Sequence, residues 1–474
     1  MIIEELKASG CEVSSNPTIL EKYSRDFCIW TEPCKPICVV WVKNTEEVQR
    51  IVKIANKYSE PIIPVSSGVH FYGATIPDSS GIVVDLSKMN RMNVDRRNRC
   101  VAIEPGVRWG PLQAELKKHG LRALNPLLPH PKSSVLTSIL EREPPLVWKF
   151  EYKEQICSLE IVLPDGEIFR TGSASVTKPS FIKIDKVVPY GPGLNWHWLF
   201  QGAQGTLGIV TWMNIRAEIL PSLQKLLFIS ASHIGDLAET LYKIGRLMIG
   251  YECFILNNLN LALILGNSFE EMRKLRESLP PWALIICLGA MRRFPEEKIM
   301  YEEEALKDIG IDVTPTLHGS VAWSNKILAL LSSPWEGEPY WKFRYRGGCQ
   351  NIFFISSLSS IQRYYHLIFD LAAEYGFSIE DIGVYVQPLE YGRAAYCDFG
   401  FHYRPDDPKK VKIRQFISDV CMLLARNGAF FNRPYGPMAE AAYGMNASYS
   451  YLLRRIKEMF DVQGIMNPGK LCFR

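Results

Sequence analysis

The chain has 474 residues, long for one domain, and its 47% hydrophobic share is enough for a large core. Fifty-four Lys and Arg against 50 Asp and Glu leave a net charge of only +4, without the concentrated basic face that nucleic-acid binding needs. Its longest apolar run, Trp282 to Met291, is about half of the ~20 residues a membrane helix requires, so no membrane span is expected.

The N-terminal MIIEELKASGCEV has acids inside its apolar run and no small-residue cleavage pattern, so a cytoplasmic protein is expected. Next, ICVVWVK (37–43) and PIIPV (61–65) read as short buried strands around a helix, TEEVQRIVKIANKY. Val48, Ile51, Val52 and Ile54 give that helix an apolar face, and Thr45 stands as its cap. GIVVDLS (81–87) and VAIEPGV (101–107) are further buried strands, the second leading into a helix at 110–119 that ends at Gly120. LEIVLPDGEIFRTG (159–172) is a hairpin turning at Pro164-Asp165-Gly166, and GIVTWMNIRAEILP (208–221) is the last strand of this block. After Pro221 amphipathic helices such as IGDLAETLYKIGRLM alternate with strands such as FILNNLNLALILG, the texture of a second α+β layer. From about Gly428 the chain carries a helix, YSYLLRRIKEMF, and the tail DVQGIMNPGKLCF.

The basic pairs Arg96–Arg97 and Lys409–Lys410 read as solvated surface. Twelve cysteines are scattered without a CxxC pair, and Cys28, Cys34 and Cys38 lack a fourth ligand at cluster spacing. Free thiols and no metal site are expected, and any iron–sulfur centre would belong to a partner chain.

Between two of the strands lies PVSSGVHFYGATIP (64–77), far more Gly, Ser and aromatic residues than a turn needs. GPGLNW (191–196) lacks the third glycine of a dinucleotide fingerprint, and no Walker lysine run exists. A third option fits: a nest in which the N–H groups of Ser66, Ser67, Val69 and His70 cradle a pyrophosphate, with Gly68 allowing close approach.

Taken in order, this loop, GIVVDLSKMN, AIEPGV, LEIVLPDGEIFRTG, GAQGTLGIVT and FDVQGIMNPGKL resemble the FAD-linked oxidoreductases of the vanillyl-alcohol oxidase / p-cresol methylhydroxylase superfamily. The likeness covers residues ~35–220 and ~428–474. It implies an α+β fold, with a two-subdomain FAD-binding domain (1–220), an inserted substrate cap (221–424) and a returning C-terminal segment (425–474). It also implies FAD held by Pro64, Ser66, Ser67, Gly68, Val69, His70 and Gly73. Glu104, Pro105, Gly106, Val107, Gly205, Gly208, Ile209 and Val210 would line the adenosine and ribityl side, and Asn467 and Lys470 would close the site. Gly205 and Gly208 could equally serve tight turns alone. In SGVHFY, His70 falls where some members bond the flavin 8α carbon; the alternative is a histidine that only hydrogen-bonds a phosphate.

By the same resemblance Tyr72 falls on a tyrosine that helps bind phenols. His130 falls on a group beside flavin N5, as base or as a plain loop residue. Arg433 falls on an arginine that holds a phenolate, with Asn432 in place of a tyrosine. The family's Gly-Gly-x-x-x-x-Asn run is replaced by HPKSSVLTSILEREPP, with Ser133–Ser134 and Ser138 in those places and Pro144–Pro145 following. In the cap, VYVQPLEYGRAAYCDFGFHY (384–403) alternates like a strand lining a cavity, offering Tyr385, Gln387, Tyr391, Arg393 and His402 as substrate contacts. Arg344 and Arg346 are candidates for a substrate carboxylate.

The leading expectation is an FAD-dependent oxidase or dehydrogenase that moves a hydride from a phenolic or aromatic alcohol onto flavin N5. A 2-hydroxy-acid dehydrogenase of lactate or glycolate type, passing electrons to a partner, is the enzymatic alternative. A flavin-binding electron-transfer subunit is a third. A homo-oligomer or membership of a larger complex is expected for any of them.

Overall fold

A computed structural model describes residues 1–149, 155–176, 186–406 and 410–473, so Lys409 of the second basic pair lies outside the described residues. Four short strands form the first sheet, in the order Glu12–Ser14, Cys38–Trp41, Ile82–Asp85, Ile62–Val65; the last three are parallel. A parallel pair needs a crossover, and the helix Thr45–Tyr58 supplies it, burying Val48, Ile51, Val52 and Ala55. Its cap is Asn44, not Thr45: the Asn44 side chain accepts the Glu47 N–H, while Glu47 accepts the Lys43 N–H. The Thr45 hydroxyl is spent on Glu160 instead.

The second sheet is antiparallel, in the order Met92–Asp95, Cys100–Ile103, Ile209–Arg216, Ile156–Val162, Ile168–Arg170. The expected hairpin is its last pair. Met92–Asp95 alternates apolar and polar residues over only four positions, too short a run to stand out as a strand in the sequence.

A third sheet has six strands, all drawn from residues 223–403: Leu223–Ala231, Trp282–Ala290, Glu252–Asn257, Ile382–Leu389, Ala394–Tyr403, Gly348–Ser356. Within it FILNNLNLALILG is not one strand. The strand Glu252–Asn257 ends where the Asn257 side chain accepts the Asn260 N–H and caps a helix, Asn258–Leu265. That helix is buried on all sides from Leu259 to Leu265, so it carries no 3.6-residue polarity pattern to read. The helix Ala447–Phe460 forms as expected, and a short helix, Pro437–Gly444, precedes it. The chain then returns to the first sheet, where the Asn467 N–H donates to the Ile62 carbonyl. Among the described residues no helix is long and apolar enough to cross a membrane, and all twelve cysteines are free.

The six-stranded sheet is tied to the rest by a buried ion pair. Arg122 Nη2 lies 2.7 Å from Glu252 Oε1, with both side chains essentially inaccessible, and the guanidinium also sits over Tyr251. Removing one partner would strand a desolvated charge. Glu252→Gln should therefore destabilise the fold by about 3–5 kcal/mol, seen as a lower thermal midpoint at unchanged pH.

Candidate active site

The strand Ile62–Val65 runs out into residues 66–75, and this loop has a one-sided hydrogen-bond balance. The carbonyls of Ser67, Val69, His70 and Phe71 each accept a protein donor, in turn His70 Nε2 at 2.6 Å, the Ser67 hydroxyl, the Phe27 N–H and the Gln350 amide. Among the described residues, none of the N–H groups of residues 67–72 donates to a protein acceptor. A run of unmatched donors at a buried cavity wall is a built site for an anion. The neighbouring segment keys the loop in place. Asp26 accepts the N–H groups of Gly73 (2.8 Å) and Cys28 (2.7 Å). Gly73 sits at φ +78° with its Cα against Thr31, where a Cβ would lie 2.3 Å from the Thr31 hydroxyl. Gly205, at φ +72°, lets a second loop approach Pro64, whose Cγ a Cβ would meet at 2.5 Å. Asn467 joins both loops by donating to the carbonyls of Ala74 (3.0 Å) and Gln204 (2.6 Å); its Oδ1 is buried without a partner among the described residues.

From this loop a cavity of about 1720 Å³, counting its open mouth, extends to the six-stranded sheet. The sheet register supplies the far wall. Phe353, Asp398 and Tyr385 stand opposite one another across three strands, and Tyr396 and Gln387 form the next row. Two ion pairs line it: Arg433 with Glu143 at 3.2 Å and Lys342 with Asp398 at 3.2 Å. Tyr72 stacks on Tyr435 (5.0 Å between ring centres) and meets Phe353 edge-on, and the Arg433 guanidinium lies 4.7 Å from the Phe353 ring centre. Burial holds the hydroxyls of Tyr72, Tyr385, Tyr396 and Tyr435 well above the usual phenol range, so all four are neutral donors. Burial is opposed at Arg433 by Glu143 and the surrounding tyrosines, which keep its guanidinium charged.

Many residues singled out from the sequence meet here. Pro64, Ser66, Ser67, Val69, His70 and Tyr72 line the cavity, as do Pro105, Gly205, Gly208, Ile209, Val210 and Asn467. His130, Tyr385 and Arg433 line it too. Others do not. Gly68 is exposed at the loop apex and does not line the cavity, with no protein atom within 4 Å of where a Cβ would stand. Gly106 packs on the Ser87 carbonyl, Val107 is buried core, and Glu104 is spent on Arg91. Gly73 and Lys470 face an adjoining cavity, where Lys470 Nζ donates to the Ile76 carbonyl. Gln387 is consumed internally by the carbonyls of Leu146, Cys253 and Pro388 and by the Tyr385 hydroxyl. Arg393 is 81% exposed and paired with Glu390, and Arg344 donates to the Leu263 carbonyl and stacks on Trp335. Neither arginine reaches the cavity. Tyr391 packs on Trp148, Arg346 pairs with Asp381, and His402 is buried against Tyr345. His130 accepts the Lys132 N–H at Nδ1, so its neutral ring carries the proton on Nε2 and is a donor, not a base. Burial lowers its pKa and keeps it neutral.

The sequence reading missed Glu143, Lys342, Tyr396, Asp398 and Tyr435. Period-2 alternation in AAYCDFGFHY puts Tyr396 and Asp398 on one face, a signal that was there to find. No local pattern marks Glu143 or Lys342.

Residues 36–172 match the FAD binding domain family. The chain is 23% identical over 491 aligned positions to an uncharacterized FAD-linked oxidoreductase of Mycobacterium tuberculosis, covering 98% of this chain and 99% of that one. It is 25% identical over 280 positions to the mitochondrial D-lactate dehydrogenase [cytochrome] of Arabidopsis thaliana, covering 58% of this chain but only 46% of that protein. Substrate-bound p-cresol methylhydroxylase superposes with a TM-score of 0.84 at 17% identity, over 100% of this chain and 96% of that one. The chain is an FAD-linked oxidoreductase with the p-cresol methylhydroxylase fold. The residues of this oxidoreductase fit the cofactor: the unmatched amides of 67–72 suit a pyrophosphate, and Asn467 Oδ1 is a buried acceptor awaiting a donor.

Asp26, which pins the loop, has its carboxyl pushed up to about 6 by burial, against the two N–H donors and Lys470, which pull it down. A carboxyl raised in the folded state favours folding when protonated, and that advantage is lost as pH rises from about 4 to about 6. Thermal midpoints of Asp26→Asn should therefore climb relative to wild type across that window and keep a constant offset above it.

Proposed function

We propose that the protein removes a hydride from a phenolic or aromatic alcohol, with residues 221–424 as the substrate cap. The observation that carries this reading is the neutral tyrosine wall around the Arg433 cation, opening directly onto the unmatched amides of the 67–72 loop. When bound, FAD supplies a two-electron acceptor. The loop amides and Ser66 hold its pyrophosphate, Pro105 and Gly208 to Val210 flank its adenosine and ribityl parts, and Asn467 closes the site. Tyr72, Tyr396 and Tyr435 bury the substrate ring and exclude water, and Tyr72 and Tyr396 offer hydroxyl donors, since the Tyr435 hydroxyl donates to Glu141. The charged, aromatic chamber beyond the loop supports a substrate of the protein's own over a purely electron-transferring role.

His70 supports covalent attachment of the flavin. Its Nε2–H is donated to the Ser67 carbonyl, leaving the Nδ1 lone pair available, and burial lowers its pKa to about 4, so the ring is neutral and nucleophilic. After acid precipitation flavin fluorescence should stay with the wild-type polypeptide and leave His70→Ala.

A second reading, a 2-hydroxy-acid dehydrogenase that passes electrons to a partner, draws on the Arabidopsis relative and on Lys342. Of the two cavity cations among the described residues that lysine is the more exposed, 20% against 4% for Arg433, and so the one a substrate carboxylate would meet, since Arg393 and Arg344 lie elsewhere. Anaerobic titration separates the two. 4-Hydroxybenzyl alcohol should bleach the flavin's visible band and D-lactate should not; the reverse result would transfer the assignment to the acid. Tyr72→Phe should keep its flavin but lose about 1–3 kcal/mol of transition-state stabilisation, read from the rate of bleaching.

A further inference from the structure

Arg433 does not meet the substrate as an isolated cation. Its Nη2 is 3.2 Å from Glu143 Oε1, and the other Glu143 oxygen accepts the Ser138 hydroxyl. Arg433 is 4% exposed, whereas Glu143 is 30% exposed and lines the cavity. Five tyrosines from four separate segments, Tyr72, Tyr340, Tyr385, Tyr396 and Tyr435, are held neutral first by burial and further by the negative charge of Glu143. Asp398 acts more strongly on Tyr72, Tyr385 and Tyr396 and Glu141 on Tyr435, but the charge of Glu143 bears on all five.

The other acid–base groups there are committed. Asp398 is shared between Lys342 and Asn351, Glu141 between Tyr435 and the Gln204 N–H, and His130 has given its only lone pair to a backbone amide. Asp398 and Glu141 are also buried, 6% and 9% exposed. Glu143 likewise has one partner on each oxygen, but it is 30% exposed and lines the cavity, so a ligand can reach its remaining lone pairs. An unopposed arginine would draw in a phenolate. An arginine already compensated by a carboxylate does not, because the incoming anion meets a like charge.

We propose that Glu143 is the catalytic base, and that the site binds its phenol or alcohol in the neutral, protonated form. The proposal rests on the phenolic or aromatic-alcohol reading above. In the step the substrate O–H and C–H bonds break. The proton goes to a Glu143 oxygen, and the hydride, with both electrons of the C–H bond, goes to the bound flavin. The substrate is left oxidised by two electrons, as a quinone methide from a 4-alkylphenol or as an aldehyde from a benzylic alcohol. Ser138 and Arg433 are positioning residues: they aim the carboxylate, and once it is neutralised the Arg433 charge is released to the developing oxygen.

The test uses the FAD-loaded protein and 4-nitrophenol, whose ionised form is yellow and whose neutral form is colourless. Bound to wild type, the probe should lose its yellow colour at a pH where it is mostly ionised in solution. Bound to Glu143→Gln it should stay yellow and bind at least tenfold more tightly, because Arg433 is then uncompensated. With 4-hydroxybenzyl alcohol, anaerobic flavin reduction in Glu143→Gln should slow by about a hundredfold or more. A yellow probe on wild type, or an unchanged reduction rate in Glu143→Gln, overturns the proposal while leaving the substrate reading intact. If no phenol or benzylic alcohol reduces wild type, the substrate reading falls and the proposal with it. The wild-type colour needs no variant. Should the glutamine variant not fold, Glu143→Asp, which keeps the charge, should still bind the probe colourless, and a yellow complex there overturns the proposal.

Discussion

Unmatched backbone donors at residues 67–72 are the constraint around which this molecule is organised. Leaving several amides without protein acceptors is costly wherever water is excluded, so the loop must be held open by something other than its own hydrogen bonds. Three segments remote in sequence do this. Asp26 and the Phe27 amide grip it from the N-terminal side, Gln350 from the six-stranded sheet, and Asn467 from the C-terminal return. Satisfying four carbonyls of 67–72 while sparing the amides gives the loop a net demand for an anion. A diphosphate carries the negative charge and the acceptor oxygens that such a loop lacks.

Beyond the loop the chain solves a different problem, placing charge inside an aromatic chamber without stranding it. Arg433 and Lys342 each bring a carboxylate, and each pair comes from elements distant in sequence. Buried ion pairs add little to stability, but breaking one is expensive, so such pairs define which charges a ligand can displace. Burial keeps the tyrosines protonated; Tyr340, Tyr385 and Tyr435 spend their protons on Leu128, Gln387 and Glu141, which leaves Tyr72 and Tyr396 as donors. Glu143 and Asp398 supply the acceptors, and only Glu143 presents its carboxylate with appreciable exposure.

The six-stranded sheet shows why a correct general reading can carry wrong particulars. Its strand pair was legible from alternation, and of the five candidates offered there Tyr385 lines the cavity. Gln387, on the same face, meets the carbonyls of Leu146 and Cys253 before any ligand can reach it. Arg393 lies at the turn, where the chain leaves the sheet and points into water. Alternation tells which face a side chain occupies, not what already stands on that face.

By itself the sequence determined the cofactor and the frame that holds it. PVSSGVHFYG, AIEPGV and GAQGTLGIV encode local backbone shapes, a loop, a strand end and a strand start, and such shapes are written in neighbouring residues. The helix Thr45–Tyr58 and the hairpin ending at Arg170 were legible for the same reason, since period and turn chemistry are local. Tertiary structure alone decided the chemistry of the substrate chamber. Arg433 was visible as a cation, but its meeting with Glu143 joins positions 290 residues apart, and the His130 tautomer depends on which amide its ring nitrogen faces. The charge and protonation of a buried group follow from its neighbours in space, and only the folded chain brings those neighbours together.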